Sequence, residues 1–550
     1  MLTRDSRIGE IYATPIGHDI IHTLLLQTGL PEKAVANPVV RRLSLRALQK
    51  LAPGRLDDSL VDSLLGLLNH ETQTPPAPTG GITRKWWKEA VAYQIYPRSF
   101  ADSNGDGVGD LRGIREKLPY LKELGVNLLW LSPVYDSPND DNGYDIRDYR
   151  KIMAEFGTME DFDALLAEAH ANGMKLIMDL VVNHTSDEHP WFQSSLHDPD
   201  GPCRDYYIWH KGRDGKEPNN WVSFFSGPAW NYYPERDEWA LHLFSKKQMD
   251  LNWDNPALRR EVYDMIDWWL AKGVDGFRMD VINLISKDGL ADGSEALAGA
   301  IGLRGIEHYF YGAVTVGETA GLGMQMSKML TAESRAELDM VFNFDALENP
   351  GKTRFDDYRY DLRYLKKYLL DWQQNYGDNC WMSLFFENHD NPRMVSKVNP
   401  DPAVRAPLAK LLATLQLTLK GTPFIYQGQE LGLANVDFAS IDEINDVESR
   451  NLYQELCGKM PSEEAWKRIL AGTRDHARAP MPWNAGPNGG FTAGTPWLRM
   501  ADGWQTCNAA DEMRDPDSVF HYYKKLIALR RENPALVYGA FRPVFLKTKR

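Results

Sequence analysis

The chain has 550 residues, which is too many for one compact core, and its 43% hydrophobic and 25% charged residues are typical of globular proteins. Its net charge of −14 argues against nucleic acid or an anionic membrane surface as the main partner. The four cysteines lie far apart and suggest neither a disulfide framework nor a zinc site. No signal-peptide pattern and no apolar run long enough to span a membrane is visible. We therefore expect a cytoplasmic monomer.

The first segment, residues 1–71, is predicted to be a small helical domain. Ile20, Ile21, Leu24 and Leu25 are spaced so that they share one face of a helix. Residues 72–83 contain the Pro/Gly-rich stretch TQTPPAPTGG and are predicted to be a linker. The helical segment shows no pattern of catalytic residues, so its role is open at this level.

Eight short apolar runs follow the linker, and most of them precede a helical pattern. The runs begin near Ala90, Asn127, Lys175, Gly273, Ala313, Asp339, Cys380 and Thr422. Continuous β-branched and aromatic runs bounded by turns are typical of parallel strands that are buried on both faces. The first helical pattern has its apolar residues on one stripe: Leu111, Ile114, Leu118, Leu121 and Leu124. Alternation of eight strands with helices predicts the α/β class and a (β/α)8 TIM barrel.

Two long interruptions divide this predicted barrel. Residues 84–184 form its first part, and residues 243–537 form its second part. Between them, residues 185–242 are rich in Trp, Tyr, Pro and Asp and are too long for a simple loop, so we expect an inserted subdomain B after strand 3. Residues 433–505 are expected to be a second insertion, after strand 8.

Acidic residues follow several of the predicted strands, at the end where barrel enzymes carry their active sites. In GFRMDVIN, Arg278 and Asp280 are two residues apart and so share one side of a strand, which favours an ionised, nucleophilic carboxylate. The fifth run ends in Glu318, and Asp390 follows the seventh. Any one of these could be a structural ion pair or a helix cap, but like charges repel, so the group indicates function. Two acids held close together are what cleavage of a glycosidic bond needs.

The segments DLVVNH, GFRMDVIN, VGET and FFENHD resemble, in order, the four signature regions of the α-amylase superfamily of retaining glycosidases. QMDLN resembles its fifth region, with Met249 where proline is usual in close relatives. The resemblance implies that Asp280 is the nucleophile, Glu318 the acid/base and Asp390 the transition-state stabiliser. The positions that would hold the sugar at the non-reducing end are Tyr144, Asp145, His184, Arg278 and His389.

QMDLN together with RDHARAPMPW resembles the oligo-1,6-glucosidase and dextran glucosidase branch. In that branch an arginine of the second motif pairs with the aspartate equivalent to Asp145, and Arg478 fits this role better than Arg474. Val281, directly after the nucleophile, resembles the α-1,6-active members, although it could simply be a β-branched strand residue. The implied activity is that of a retaining exo-α-glucosidase acting on α-1,6 bonds of isomaltose and isomalto-oligosaccharides.

Other activities remain open. A trehalose-6-phosphate hydrolase would share GFRMDVINLISK and would need a basic cluster at the aglycone site, for which Lys287 and Lys328 are candidates. An α-1,4-glucosidase and a sucrose isomerase are further alternatives, but the Arg-rich loop of the isomerases is not evident in DNPRMVSKVNPD. Transporter heavy subunits reuse this barrel as a binding scaffold, yet they need a membrane anchor and have lost the catalytic carboxylates.

The segment DSNGDGVGD is a candidate Ca²⁺ loop. Its oxygen ligands at alternate positions resemble the start of an EF-hand, although the twelfth position is glycine and not glutamate. Relatives bind a structural Ca²⁺ in this loop with the help of a backbone carbonyl. The implied ligands are Asp102, Asn104, Asp106, Val108 and Asp110. A plain Asp/Gly turn is the alternative.

The relatives also carry a C-terminal β-domain. Residues 538–550, which contain AFRPVFLK, correspond to its start. We therefore expect a truncated C-terminal β-domain.

Overall fold

A closed barrel of eight parallel strands forms the centre of the computed structural model, which describes residues 1–51, 58–70, 81–198, 200–287 and 313–544. The strands are β1 Ala92–Ile95, β2 Leu128–Leu131, β3 Lys175–Leu180, β4 Gly276–Met279, β5 Val314–Glu318, β6 Met340–Phe342, β7 Ser383–Leu384 and β8 Thr422–Tyr426. Their order is β6-β5-β4-β3-β2-β1-β8-β7, and a parallel bridge between Val341 and Met382 joins the two ends. Each strand lies within a predicted run, so the predicted barrel is confirmed.

Side chains from both faces of these strands are buried, which explains the continuous apolar runs. Inside the barrel, Trp130, Ile177, Val316 and Phe342 belong to one apolar cluster. A glycine is needed at Gly276, because a Cβ there would collide with the backbone of β5. This close approach holds the beginnings of β4 and β5 side by side.

Helices surround the strands. The main ones are Leu111–Glu116, Leu118–Leu124, Met159–Ala171, Pro256–Lys272, Met324–Thr331, Leu362–Asn375, Arg405–Thr418 and Val519–Glu532. The shorter ones are Trp86–Glu89, Met394–Val398, Ala509–Arg514 and Ala535–Tyr538. The apolar stripe predicted from Leu111 to Leu124 lies on two helices that meet at Lys117. The first helix ends there because Pro119 cannot donate a backbone hydrogen bond, and Pro119 lies in the first turn of the second helix.

Additional elements extend the barrel on the side where the strands end. After β2, strand Tyr135–Asp136 pairs with Asp148–Ile152. After β3, His184–Ser186 pairs antiparallel with Gln248–Asp250. Between those two strands lie helix Pro190–His197 and the strands Trp209–His210, Trp230–Tyr233 and Glu238–Leu241. After β8 come helices Val447–Cys457, Ser462–Gly472 and Asp475–Arg478.

The N-terminal segment packs against the barrel. Its helices are Ile8–Ile11, Pro15–Thr28, Lys33–Ala36, Pro38–Arg42, Leu45–Leu51 and Asp58–His70. Their apolar residues form one cluster with Leu322 and Met326, which follow β5. Most of the expected linker, residues 72–83, lies outside the described residues, as do the last six residues of the expected C-terminal β-domain. In the parts of the chain that the structure describes, no helix is long and apolar enough to cross a membrane.

Candidate active site

One guanidinium group organises three carboxylates at the ends of β3, β4 and β5. Arg278 Nη1 donates to Asp179 Oδ1 and to Asp280 Oδ1, both at 2.7 Å. Its Nη2 donates to Glu318 Oε2. Arg278 lies beside Asp179 in the β3–β4 register, and β5 follows on the other side. All four side chains are buried, so their charges act on one another with little screening by water.

A single cation does not neutralise three carboxylates, and this affects the protonation of Asp280. Burial raises the pKa of Asp280 well above its ordinary value; Arg278 opposes the shift, and Glu318 and Asp179 add to it. Burial also raises the pKa of Asp179 to about 6. The predicted Arg278–Asp280 ion pair is present, but the guanidinium is shared with Asp179 and Glu318, and the ionised state of Asp280 stays a prediction. Because the three carboxylates are close together, they titrate as an interacting group and not as independent residues.

Asp390, which follows β7, is surrounded mainly by cations, unlike Asp280. Arg478 Nη2 lies 3.0 Å from Asp390 Oδ1, and Arg474 Nη1 lies 3.4 Å from the same oxygen. Burial favours the protonated form, but His389, Arg474 and Arg478 outweigh it and hold the pKa of Asp390 well below its usual range. Asp390 is therefore an ionised carboxylate in the same pocket.

Neutral imidazoles and a tyrosine complete this part of the site. His389 Nδ1 lies 2.8 Å from the amide nitrogen of Gln94, which can only donate, so the proton of His389 is on Nε2. Burial lowers the pKa of His389 to about 3 and that of His184 to about 4. The Tyr144 ring stacks on His389 at 5.1 Å, and its hydroxyl donates to Asp179 at 2.9 Å. The structure therefore brings together most of the residues expected to hold the sugar.

Asp145 is an exception. It is fully buried and accepts hydrogen bonds from Ser137 Oγ at 2.9 Å and from the backbone N–H groups of Asp140 at 2.8 Å and Asp141 at 3.1 Å. Burial raises its pKa to about 7. The expected pairing of Asp145 with Arg478 was wrong, because the oxygens of Asp145 are taken up in folding its own loop, while Arg478 binds Asp390.

The ion pair that spans the pocket joins Arg474, which was ranked below Arg478 for this role, to Asp141, which was not expected at the site. Arg474 Nη2 lies 2.8 Å from Asp141 Oδ1 and 2.6 Å from Asp446 Oδ1, and its guanidinium stacks on the Phe225 ring at 4.9 Å. Arg474 therefore links the loop after β2, the insertion after β8 and, through Asp390, the loop after β7. Asp145 was the aspartate expected in this role, and DNGYD contains no signal that distinguishes it from Asp141.

Val281 has an unusual backbone conformation directly after Asp280. Its φ of 34° and ψ of 42° lie in the left-handed region, which β-branched residues rarely adopt. Its N–H lies 3.3 Å from Glu318 Oε2 and donates to it. Strain of this kind persists where the surrounding structure enforces it, and it is concentrated at functional sites.

The candidate Ca²⁺ loop is held by its own side chains. Asp102 Oδ1 accepts from Asn104 N at 2.9 Å, and Asp106 Oδ1 accepts from Val108 N at 2.9 Å. The Asp110 side chain caps helix Leu111–Glu116. Among the described residues, no three His, Cys, Asp or Glu side chains are grouped as metal ligands. The oxygen-only chemistry of the loop, with amide and carbonyl groups included, still fits Ca²⁺.

A (β/α)8 barrel whose strand ends gather Asp280 and Glu318 on one guanidinium, beside the ionised Asp390, defines a glycoside hydrolase. The model of the family described as "Alpha amylase, catalytic domain" matches residues 94–539, and the chain belongs to this alpha-amylase family.

Several proteins with known names are similar to this chain over most of its length. The chain is 51% identical over 483 residues to an oligo-1,6-glucosidase of Halalkalibacterium halodurans, covering 84% of this chain and 86% of the relative. It is 45% identical over 474 residues to a trehalose-6-phosphate hydrolase of Bacillus subtilis, covering 83% and 84%. The crystal structure of an isomaltulose synthase from Erwinia rhapontici superposes with a TM-score of 0.79 at 44% identity, covering 83% of this chain and 86% of that one.

Proposed function

We propose that this protein is a retaining exo-α-glucosidase that hydrolyses α-1,6-glucosidic bonds at the non-reducing end of isomaltose and isomalto-oligosaccharides. The observation that carries the proposal is the sharing of the Arg278 guanidinium by Asp280 and Glu318 at adjacent strand ends. The likeness to the oligo-1,6-glucosidase at 51% identity supports the substrate class.

The residues divide the chemistry between them. Asp280 attacks the anomeric carbon while Glu318 protonates the leaving glycosidic oxygen, and water then releases glucose from the covalent intermediate with Glu318 as the base. The ionised Asp390 stabilises positive charge that develops on the sugar ring. His184 and His389, both neutral at pH 7, can hydrogen-bond sugar hydroxyls without adding charge.

Attack at the chain end is supported by the way the pocket is closed. The Arg474–Asp141 ion pair lies between the loop after β2 and the insertion after β8, and both partners are buried. Asp446 forms an ion pair with the same guanidinium group and is itself buried. A pocket closed on this side accepts one terminal sugar and not the middle of a chain.

A phosphorylated disaccharide is less well supported, although the trehalose-6-phosphate hydrolase is a relative. The Lys287 ammonium group lies 2.7 Å from Asp250 Oδ1 and 2.6 Å from Asn183 Oδ1 and is buried, so its charge is already paired. Lys328 is on helix Met324–Thr331, which packs against the N-terminal segment. Lys287 therefore offers no free cation for a phosphate, and Lys328 is half-buried. Residues 288–312 lie outside the described residues.

Sucrose isomerisation and α-1,4 hydrolysis are alternatives within the same family. The isomaltulose synthase superposes well but is less identical in sequence than the oligo-1,6-glucosidase, at 44% against 51%. Val281 favours the 1,6 linkage by its resemblance to α-1,6-active members.

Three further properties belong to the proposal. Ca²⁺ binds in the loop through Asp102, Asn104, Asp106, Asp110 and the Val108 carbonyl, where it has a structural role. The protein is cytoplasmic, which is supported by the four cysteines being free thiols. It acts as a monomer on small α-glucosides.

The proposed activity is tested by offering purified protein isomaltose, maltose, sucrose and trehalose-6-phosphate separately and quantifying the products. Glucose release should be fastest from isomaltose. Faster release from maltose would contradict the linkage, and activity restricted to the phosphorylated sugar would favour the hydrolase alternative. Isomaltulose formed from sucrose would instead identify an isomerase. The Asp280→Asn variant is the matched control and should produce no glucose while keeping the wild-type circular dichroism spectrum.

A further inference from the structure

The helix after β5 begins without a cap of its own. Helix Met324–Thr331 follows the loop that leaves Glu318, and Gly323, in its N-cap position, has no side chain to accept a backbone hydrogen bond. Asp19, on helix Pro15–Thr28 of the N-terminal segment, supplies the acceptor. Its Oδ2 lies 2.6 Å from Met326 N, and the side chain is buried.

The fit between Asp19 and this helix is close. A Cβ added to Gly323 would lie 2.5 Å from Asp19 Cγ, so the carboxylate fills the space that any other N-cap residue would need. Further contacts hold the N-terminal segment in place: Gly351 N donates to Leu26 O at 2.6 Å, and Lys367 Nζ lies 2.6 Å from Glu32 Oε2. The cap is therefore part of a continuous docked surface.

The loop between Glu318 and this helix is fixed from several directions. Asn283, after β4, donates to Ala320 O at 3.0 Å, and Asn343, after β6, donates to Leu322 O at 2.6 Å. Thr319 Oγ1 donates to Phe342 O at 3.1 Å. The barrel supplies these contacts, whereas Asp19 is the contact that the N-terminal segment adds at the end of the loop.

We propose that Asp19 is a positioning residue for Glu318 and that the N-terminal helical segment completes the catalytic barrel by capping the helix that follows the acid/base. This inference rests on the proposed function, because it takes Glu318 to be the proton donor. Loss of the cap leaves the N-terminal amides of the helix unsatisfied and loosens the loop that fixes the direction of the Glu318 carboxyl group.

The test uses the dependence of the rate on the leaving group. Hydrolysis of isomaltose needs protonation of the leaving oxygen, whereas hydrolysis of α-glucosyl fluoride needs much less. Asp19→Ala should lower kcat/KM for isomaltose about ten-fold and that for the fluoride less than two-fold, as partial loss of general acid catalysis predicts. Asp19→Asn keeps an oxygen acceptor and should restore the isomaltose rate.

Two further variants separate positioning from general destabilisation. Thr158→Ala removes the cap of helix Met159–Ala171, which follows β2, and should lower stability without changing the ratio of the two rates. Gly323→Ala displaces the Asp19 side chain without changing the sequence of the N-terminal segment, and it should reproduce the selective loss even where Asp19→Ala folds poorly.

Glu318→Ala is the benchmark for the proposed function. It should lose kcat/KM for isomaltose far more than kcat/KM for the fluoride, because kcat/KM reports the first step, in which Glu318 acts as the acid. An equal loss on both substrates would refute Glu318 as the acid, and with it the role of Asp19. The inference about Asp19 alone would be overturned by a different result. In that case Glu318→Ala loses kcat/KM selectively on isomaltose, while both Asp19→Ala and Gly323→Ala lose it equally on the two substrates or not at all. The same selective loss in Thr158→Ala would also overturn it.

Discussion

Two aspartates in the same pocket have pKa values that are shifted in opposite directions, because different numbers of cations surround them. Asp280 shares Arg278 with two other carboxylates, and burial raises its pKa. Asp390 faces two arginines, and its pKa is lowered despite burial. The ratio of cations to carboxylates around each group therefore decides its protonation, and their spacing along the chain does not reveal this ratio. Asp390 therefore stays ionised at acidic pH.

At the same scale, the Arg474–Asp141 pair makes a direct prediction. Asp141→Asn removes the charge that Arg474 meets across the pocket and leaves a buried cation with fewer partners. We expect kcat/KM for isomaltose to fall about ten-fold or more, which corresponds to about 1.4 kcal/mol. Steady-state kinetics on isomaltose measure the effect.

Asp136→Asn is the matched control. Asp136 also pairs with an arginine on the segment after β2, Arg147 at 2.9 Å, but that arginine is partly exposed and lies outside the pocket. Its replacement should change kcat/KM less than two-fold, because partly exposed ion pairs contribute little. A similar loss in both variants would show that the pair at Asp141 has no special role in closing the pocket.

At the scale of elements, the candidate Ca²⁺ loop is joined to the insertion after β8. Thr492 Oγ1 donates to Asp102 Oδ2 at 2.5 Å, and Trp497 N donates to Gly107 O at 3.0 Å. A Ca²⁺ ion bound here would stabilise both segments. Adding Ca²⁺ at about one hundred times its Kd to EDTA-treated protein should therefore raise Tm by at least about 1 °C.

The response should be absent in Asp106→Ala, which removes one proposed ligand. Asp148→Ala removes a half-buried aspartate outside the loop, whose carboxylate accepts from Arg150 N, so it should respond to Ca²⁺ as the wild type does. An identical Tm of wild-type protein in Ca²⁺ and in EDTA would show that the loop is a plain Asp/Gly turn.

Much of the element scale could be predicted from the sequence. Each barrel strand is a run of residues buried on both faces, so local composition alone locates it. The split at Lys117 could not be read from the apolar stripe, because the stripe continues across both helices. The pairing of Arg474 with Asp141 was likewise out of reach, since it depends on how Asp145 folds its own loop through hydrogen bonds to Ser137 and the backbone.

At the scale of the whole molecule, the N-terminal segment is where the sequence was least informative. The Asp19–Met326 hydrogen bond joins residues 307 positions apart, and neither residue has a local pattern that indicates the other. The spacing of Ile20, Ile21, Leu24 and Leu25 predicted a helix with one apolar face, and what that face packs against was left open. The docked segment and the barrel together place Glu318.

The central claim is that Asp280 is the nucleophile of a retaining mechanism. The most direct measurement is mass spectrometry of peptides from protein inactivated with 5-fluoro-α-glucosyl fluoride, which traps a glycosyl-enzyme intermediate. We predict one added fluoroglucosyl group, located on the peptide that contains Asp280. A label on Glu318 or Asp390, or turnover of the reagent with inversion at the anomeric carbon and no label, would contradict the account.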